Sequence, residues 1–443
     1  MLKNATTKMP KTVANQQIVE QLNQCREFPA VVRVPMPNVD PLAWLDAQPF
    51  STKFAWSERD DEKMLAGAGV AASVDVQADD EPVAVIGRCR ELLNGNKSLR
   101  FFGGLSFDGE VADASWQNFG AGRFVAPRFL VENEVLLITV MDRDDITEAT
   151  LDIERLNFEF ETHNWSEDLP APATTHFAPT QDGWQSTVDE ALTLIRSEVL
   201  EKIVLARKTT LEFDAPLNPL QITSRIAEST YDCYVFCFQF AEEQAFVGAT
   251  PERLFRRKDN RLLSEVVAGT RPRGVTSGED QRLAYELLTS DKDQLEHDIV
   301  RKSIRQKLHK FVEHLEVDTH ASVLRLAHKQ HLCSAVQGEL KEGIEEGALL
   351  QRLHPTPAVG GYPTENALPE IARLEPFNRG WYAAPIGWIG LDDAEFVVGI
   401  RSGVVDGKTL SLYSGAGIVK GSEPAQEWAE VDNKIRDFLD IFE

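Results

Sequence analysis

Between Glu395 and Val419 the chain reads EFVVGIRSGVVDGKTLSLYSGAGIV, two β-branched, apolar stretches hinged on Asp406-Gly407. An Asp-Gly pair tolerates the positive φ values of a tight hairpin turn, and the flanking residues favour strands, so the segment is expected to fold back on itself. Such a hairpin leaves no room for the helical crossover that parallel strands require. Ser422 follows, with Pro424 inside a first turn, and together they open a terminal helix that runs to the C-terminus. Upstream, CYVFCFQF, EQAFVGAT and RLFRR read as a strand meander, and PAVVRVPM and FLVENEVLLITVMD as further short β runs. A helix beginning near Trp184, with Val188, Leu192 and Ile195 at helical spacing, leads into the strand EKIVLARKTTLEF. Arg282 to about Val317 reads as one long helix with Leu295, Ile299, Ile304, Leu308 and Val312 on its apolar side. Antiparallel pairing with helices outside predicts an α+β protein, not a doubly wound sheet.

At 443 residues the chain has the length of one large domain or of two to three ordinary ones. Residues 1–180 are β-rich, with few convergent catalytic residue types, and the Pro/Ala/Thr-rich stretch Leu169–Gly183 reads as a connector to residues 181–443. The formal charge of -24 argues against nucleic acid and against an anionic membrane surface. It leaves room for a small anionic substrate at a local cluster of Lys and Arg. The opening MLKNATTKMPKTVANQQ lacks an apolar core, no run reaches the length of a membrane span, and five scattered cysteines do not form a disulfide framework. The expected compartment is the cytoplasm. Cys233 and Cys237 lack the further ligands that a zinc site needs, and no glycine-rich nucleotide motif stands between a strand and a helix.

Several groupings carry chemical potential. On the terminal helix Glu427, Glu430 and Lys434 share one face beside the apolar stripe Trp428, Val431, Ile435 and Leu439. A solvated charged face would look the same, but paired carboxylates beside a core stripe also suit Mg²⁺, which takes one or two carboxylates plus water and substrate oxygens. SDKDQLEH sets Glu296 and His297 against Leu295 and Ile299. Gly415, Ala416 and Gly417 can present backbone N–H groups to an anion, although any tight turn would use the same glycines. VVAGTRPRG, with Gly269 and Thr270, is equally ambiguous.

Taken in order, EKIVLAR, FVGATPERLFRR, VVAGTRPRG, SDKDQLEH, HPTPAVGGYP, EFVVGIRSG and LYSGAGIVKGSEPAQEWAEVDNK resemble the chorismate-utilising enzyme family from about Trp184 to the end. DPLAWLDAQ, FAWSERD and SLRFFGGLSFD are similar to its menaquinone-type isochorismate synthases. The resemblance implies an anthranilate synthase component I-like fold, a large two-sheet β core with helices outside. It implies a Mg²⁺ cofactor held by Glu296 and Glu430, with Glu427 in support, and chorismate as the small-molecule substrate. By the same resemblance Arg401 takes the enolpyruvyl carboxylate, while Gly417 and its neighbours Gly415 and Ala416 add backbone donors. Lys434 lies near a substrate carboxylate, and His331, Gly269 and Thr270 line the pocket. Lys202 would activate water for attack at C2, and Glu252 would protonate the departing C4 hydroxyl.

That pairing makes a strict chemical demand. At pH 7 the neutral fraction of an ordinary lysine is roughly 10⁻³·⁴ and the protonated fraction of an ordinary glutamate roughly 10⁻²·⁷, so the joint population is only about 10⁻⁶. Burial is expected to move both values inward. Ammonia-using members of the family carry a glutamine-like residue where Lys202 stands, and aminodeoxychorismate synthases often have a nucleophilic lysine where this chain has Ala268. The resemblance therefore implies water as the nucleophile, with no glutamine amidotransferase partner. Salicylate synthase, which shares the lysine and goes on to eliminate pyruvate, is the competing expectation.

Overall fold

The computed structural model of the chain describes residues 11–109, 113–160, 165 and 169–442; the opening segment read above for a leader lies largely outside them. Among these residues two antiparallel sheets, of twelve and ten strands, form the body of the molecule. The expectation of an α+β protein with a two-sheet core is met. Strands from both halves of the sequence interleave in each sheet. In the twelve-stranded sheet Lys53–Glu58 pairs with Tyr234–Ala241, and in the ten-stranded sheet Phe101–Leu105 pairs with Pro385–Ile389.

The two sheets share one apolar core, in which Phe54 of the larger stacks on Phe102 of the smaller with ring centroids 4.5 Å apart. Alternation along Tyr234–Ala241 explains why that stretch is apolar throughout. Phe236, Phe238 and Phe240 point into the space between the sheets, whereas Val235 and Cys237 join a second core beneath the outer helices. That outer layer includes Leu220, Ile222 and Ile226 of the helix Pro219–Ser229, and Ile435 and Phe438 of the terminal helix Pro424–Leu439.

Three expectations need correction. The long helix is two helices, Ser277–Thr289 and Asp291–Leu308, followed by the strand Val312–Val317. Ser290 is extended between the helices (ψ 117°) and its side chain accepts from the Asp293 N–H, so a capping residue restarts the helix where apolar spacing suggested continuity. Leu295 accordingly faces solvent at 47% exposure, and Val312 belongs to a strand. Secondly, the run from Glu395 spans both sheets: Asp393–Val398 lies in the smaller, and only Ser402–Asp406 and Thr409–Val419 form the hairpin around Asp406-Gly407. Thirdly, the meander is broken, since Gln244–Thr250 belongs to the larger sheet and Arg253–Lys258 to the smaller. Hydrophobic pattern reports that a strand is buried, not which of two facing sheets it enters.

Candidate active site

These two crossings from sheet to sheet lie side by side, and each carries a candidate residue. Pro251 and Glu252 bridge Gln244–Thr250 and Arg253–Lys258, while Gly399 to Arg401 bridge Asp393–Val398 and Ser402–Asp406. Backbone bonds tie them together: Val398 N–H donates to Glu252 O (3.0 Å) and Ala249 N–H to Arg401 O (3.1 Å). Arg401 has a left-handed backbone, φ +47°, an uncommon state for a non-glycine residue and one that the crossing imposes. Glu252 is 5% exposed. Burial pushes its carboxyl up to about 7, against the pull of Lys202, Lys434 and Arg401 and with help from the like charge of Glu265.

Lys202 lies in a strand, as its sequence suggests. It is the first residue of the strand Lys202–Glu212, fully buried, with Nζ 2.9 Å from Glu296 Oε1. The Gly-Ala-Gly stretch is no turn. Its residues pair within the ladder, Ala206 with Gly415, Leu205 with Ala416 and Val204 with Gly417. Past Tyr413 the hairpin partner has ended, so among the described residues one backbone edge of this stretch stays open. The glycines answer to close packing: a Cβ on Gly417 would lie 2.5 Å from Glu296 Oε1, and one on Gly415 3.1 Å from the Tyr382 hydroxyl oxygen. Ala416 turns its methyl into the core, leaving only its backbone for a ligand.

The three candidate metal carboxylates come from two helices, Glu296 from Asp291–Leu308 and Glu427 and Glu430 from Pro424–Leu439. Each meets a lysine: Glu296 meets Lys202, Glu427 meets Lys292 at 2.7 Å and Glu430 meets Lys434 at 2.8 Å. Among the described residues no group of three or more His, Cys, Asp and Glu side chains is drawn together as metal ligands. The donor set nonetheless fits a hard cation. Lys292 is held above its ordinary value, despite burial, by Glu427, Glu430 and Glu296 together, so the three carboxylates act on one point of positive charge. Glu427 is itself pushed up by burial and by Glu430. Glu296 is held down by Lys202, Lys434 and Lys292, which outweigh its burial.

On the opposite wall Gly269 forms a bulge at φ +75° between Ala268 and Thr270. His331 Nδ1 lies 3.1 Å from Gly269 O and 3.2 Å from Thr270 Oγ1, and Nε2 faces the Arg401 guanidinium. A carbonyl on one side and a guanidinium on the other assign the proton to Nδ1. Burial, with Arg401 and Lys434 nearby, pushes His331 well below its ordinary value and keeps the ring neutral. Lys434 also donates to Gly415 O (3.0 Å).

Glu252, Gly269, Thr270, Glu296, His331, Arg401, Gly415, Glu430 and Lys434 line one cleft that opens to solvent. Lys202 reaches it through Glu296, and Gly417 packs behind both. Glu427, 1% exposed, stands one turn back. The sequence reading missed Tyr382, Ser414 and Lys292. Tyr382 lines the cleft from the unread segment NRGWYAAP, and burial pushes its phenol up. Ser414 lines it too, one residue before the motif glycines, and its buried Oγ has no protein partner. Lys292 lies inside SDKDQLEH and, at 35% side-chain exposure, resembles any surface lysine until the fold brings Glu427 to it.

A family profile described as chorismate binding enzyme matches residues 15–443. The Bacillus subtilis protein named isochorismate synthase MenF is 30% identical over 91% of this chain and 91% of its own length, and its Escherichia coli namesake is 32% identical over 96% of both. The chloroplastic isochorismate synthase 2 of Arabidopsis thaliana is 36% identical over 80% of this chain, a match spanning 66% of the plant protein. The solved Escherichia coli MenF, the menaquinone-specific isochorismate synthase, superposes with a TM-score of 0.84 over 97% of this chain and 99% of its own. Anthranilate synthase component I from Streptococcus pneumoniae, 19% identical, shares the fold at a TM-score of 0.65 over 94% of this chain and 93% of its own.

Proposed function

The chain belongs to the chorismate binding enzyme family, and from that membership we propose that it is an isochorismate synthase, an isomerase that adds water at C2 of chorismate and expels the C4 hydroxyl. The likeness to MenF proteins along nearly the whole chain supports this choice within the family and favours a menaquinone route.

The observation that carries the reading is the pairing of Lys202 and Glu252. Glu252, with its carboxyl near 7, is about half protonated at neutral pH. That removes the acid's share of the population deficit set out above. Lys202 is near enough to act on the Glu252 charge, with Glu296 beside it. With Lys202 in its neutral amine form, water on its side gives a proton to Nζ as the water oxygen bonds to C2. The ring double bonds shift, and the C4 hydroxyl leaves as water with the proton from Glu252. Arg401, oriented by neutral His331, would bind one substrate carboxylate in a two-pronged fork. Glu296 and Glu430, with Glu427 in support, would hold Mg²⁺, which neutralises the ring carboxylate when bound. The reaction needs no glutamine amidotransferase. The five cysteines form no disulfide among the described residues, which suits a reducing compartment, and the cytoplasm is the compartment we propose.

The test is a long incubation of the pure protein with chorismate and Mg²⁺, followed by chromatography with pyruvate assayed alongside. One C–O bond replaces another, so a plateau containing both chorismate and isochorismate, with almost no pyruvate, is expected. Full conversion to salicylate with stoichiometric pyruvate would reassign the protein to salicylate synthase.

A further inference from the structure

Glu252 lies on a two-residue bridge between sheets, and such a bridge has few internal hydrogen bonds to fix its course. Its own backbone makes two, Glu252 N–H to Thr250 Oγ1 (3.2 Å) and Val398 N–H to Glu252 O (3.0 Å). The residues on either side of it are held from elsewhere. Arg59 and Asp60 form the turn between the strands Lys53–Glu58 and Asp61–Ala68, far away in sequence. Arg59 Nη1 donates to the Pro251 carbonyl at 3.0 Å. Asp60 accepts from Arg253 Nη2. One turn therefore grips the residue before Glu252 and the residue after it.

A shared carboxylate locks the grip. Arg59 makes a two-pronged pair with Glu265, Nη1 to Oε2 at 2.9 Å and Nη2 to Oε1 at 2.5 Å, and Arg253 Nη1 reaches the same Oε1 at 3.0 Å. Arg253 continues to Glu395 at 3.0 Å, which also accepts from the Tyr234 hydroxyl at 2.7 Å. The side chains of Arg59, Glu265 and Arg253 are 10%, 9% and 2% exposed, so this is no screened surface pair. Arginine suits the post because only its planar fork can serve a carboxylate and a carbonyl at once.

We propose that Arg59 and Asp60 are positioning residues for the catalytic carboxyl, clamping both flanks of Glu252 so that it meets the substrate's C4 oxygen. This rests on Glu252 being the acid of the proposed reaction. The clamp also sets the local charge. Glu265 acts on Glu252 as a like charge, and Arg59 is the partner that offsets it. The other charged or titratable groups facing Glu252 are Lys202 on its strand, Lys434 on the terminal helix, Arg401 on the neighbouring crossing and Tyr382 across the cleft. None of these touches the Arg59–Asp60 turn in the bonds described, so replacing Arg59 alters one contribution and leaves the rest.

The experiment compares Arg59→Gln, Arg59→Lys, Asp60→Asn and Glu252→Gln by kcat, KM, kcat against pH and melting temperature, with kcat expressed per folded molecule. Arg59→Gln is expected to lower kcat roughly 10-fold or more, the scale of a displaced catalytic group, with KM within about 3-fold. Its alkaline limb should move to higher pH, because Glu265 is left less compensated. Arg59→Lys should keep the wild-type limb but recover kcat only in part. Asp60→Asn, at a half-exposed side chain, should fold and show a smaller loss of kcat at unchanged KM. If Arg59→Gln does not fold, Arg59→Lys and Asp60→Asn decide the matter. Folded variants with wild-type kcat and pH profile, beside an inactive Glu252→Gln, overturn the clamp. A fully active Glu252→Gln overturns the assignment of Glu252 instead.

Discussion

The carboxyl of Glu252 is held near 7 chiefly by the loss of water around it. A general acid must be protonated to act, so activity should fall as pH rises through that value, giving an alkaline limb in kcat/KM near pH 7. Glu252→Gln should remove the limb and lower kcat roughly 10²–10⁴-fold, and Lys202→Ala should cost a similar factor. A Lys202→Ala enzyme with near-native kcat would exclude lysine from the mechanism. The same shift has a price in stability. The folded value lies above the ordinary glutamate value of 4.5, so the fold is relatively favoured below pH 4.5 and loses that advantage as pH climbs towards 7. The shift corresponds to about 3 kcal/mol at 1.36 kcal/mol per tenfold change, so Glu252→Gln should melt higher than wild type at pH 8 and show no such gain at pH 4. Calorimetry at the two pH values checks the sign. Neither Lys202 nor Glu252 stood out by residue type or spacing. They became legible through the order of motifs around them, whereas Tyr382 and Lys292 stayed hidden because their roles arise from contacts distant in sequence.

At the scale of elements, the strand Thr409–Val419 and the helix Asp291–Leu308 meet through a glycine. A methyl on Gly417 would sit 2.5 Å from Glu296 Oε1 and 2.9 Å from Lys202 Cε, the far ends of two flexible side chains and not backbone. The fold can therefore absorb Gly417→Ala by moving those ends, and the melting temperature should change little. The two groups that must hold their places are the ones that move, so kcat should drop by roughly 10²-fold, the cost of misplacing reacting groups by about 1 Å. A large loss of stability with normal activity per folded molecule would mean that the close approach serves packing alone. The elements themselves were unevenly legible. The Asp406-Gly407 hairpin and the terminal helix announced themselves by turn chemistry and by a proline in the first turn. The break at Ser290 was missed because apolar residues continue at helical spacing through it, and only the serine's capping bond reveals the restart. The switches between sheets at Pro251–Glu252 and Gly399–Arg401 leave no periodic trace, since a strand buried on both faces looks the same in either sheet.

Over the whole molecule, an acidic chain of net charge -24 is expected to bind a dianion, and it can do so only where positive charge is gathered. In and behind the cleft three glutamates each meet a lysine, Arg401 adds positive charge on the cleft wall, and a divalent cation would offset the charge of a doubly anionic substrate. EDTA should therefore abolish turnover and Mg²⁺ restore it, whereas Glu430→Ala should not be rescued by ordinary Mg²⁺; full turnover in metal-free buffer would refute the metal. Which nucleophile enters is a separate question, and the fold does not answer it. The same two-sheet body is shared with an anthranilate synthase component I, so architecture alone is compatible with either nucleophile. The choice must lie in a few side chains. On the reading proposed above, the amine of Lys202 would stand at the approach to C2; it lies 2.9 Å from Glu296, and Gly417 packs against both. Ala268 beside the Gly269 bulge offers no covalent alternative. Saturating ammonium at high pH should therefore give no appreciable aminated product, although free ammonia is then abundant and small enough to enter any cleft that admits water. Exclusion would have to come from the lysine itself, and Lys202→Gln distinguishes this from a general barrier. If the lysine is the cause, that variant should lose isochorismate formation and gain a slow, ammonium-dependent product. Anthranilate as the main product of the unaltered enzyme would overturn the assignment to water and imply a glutaminase partner.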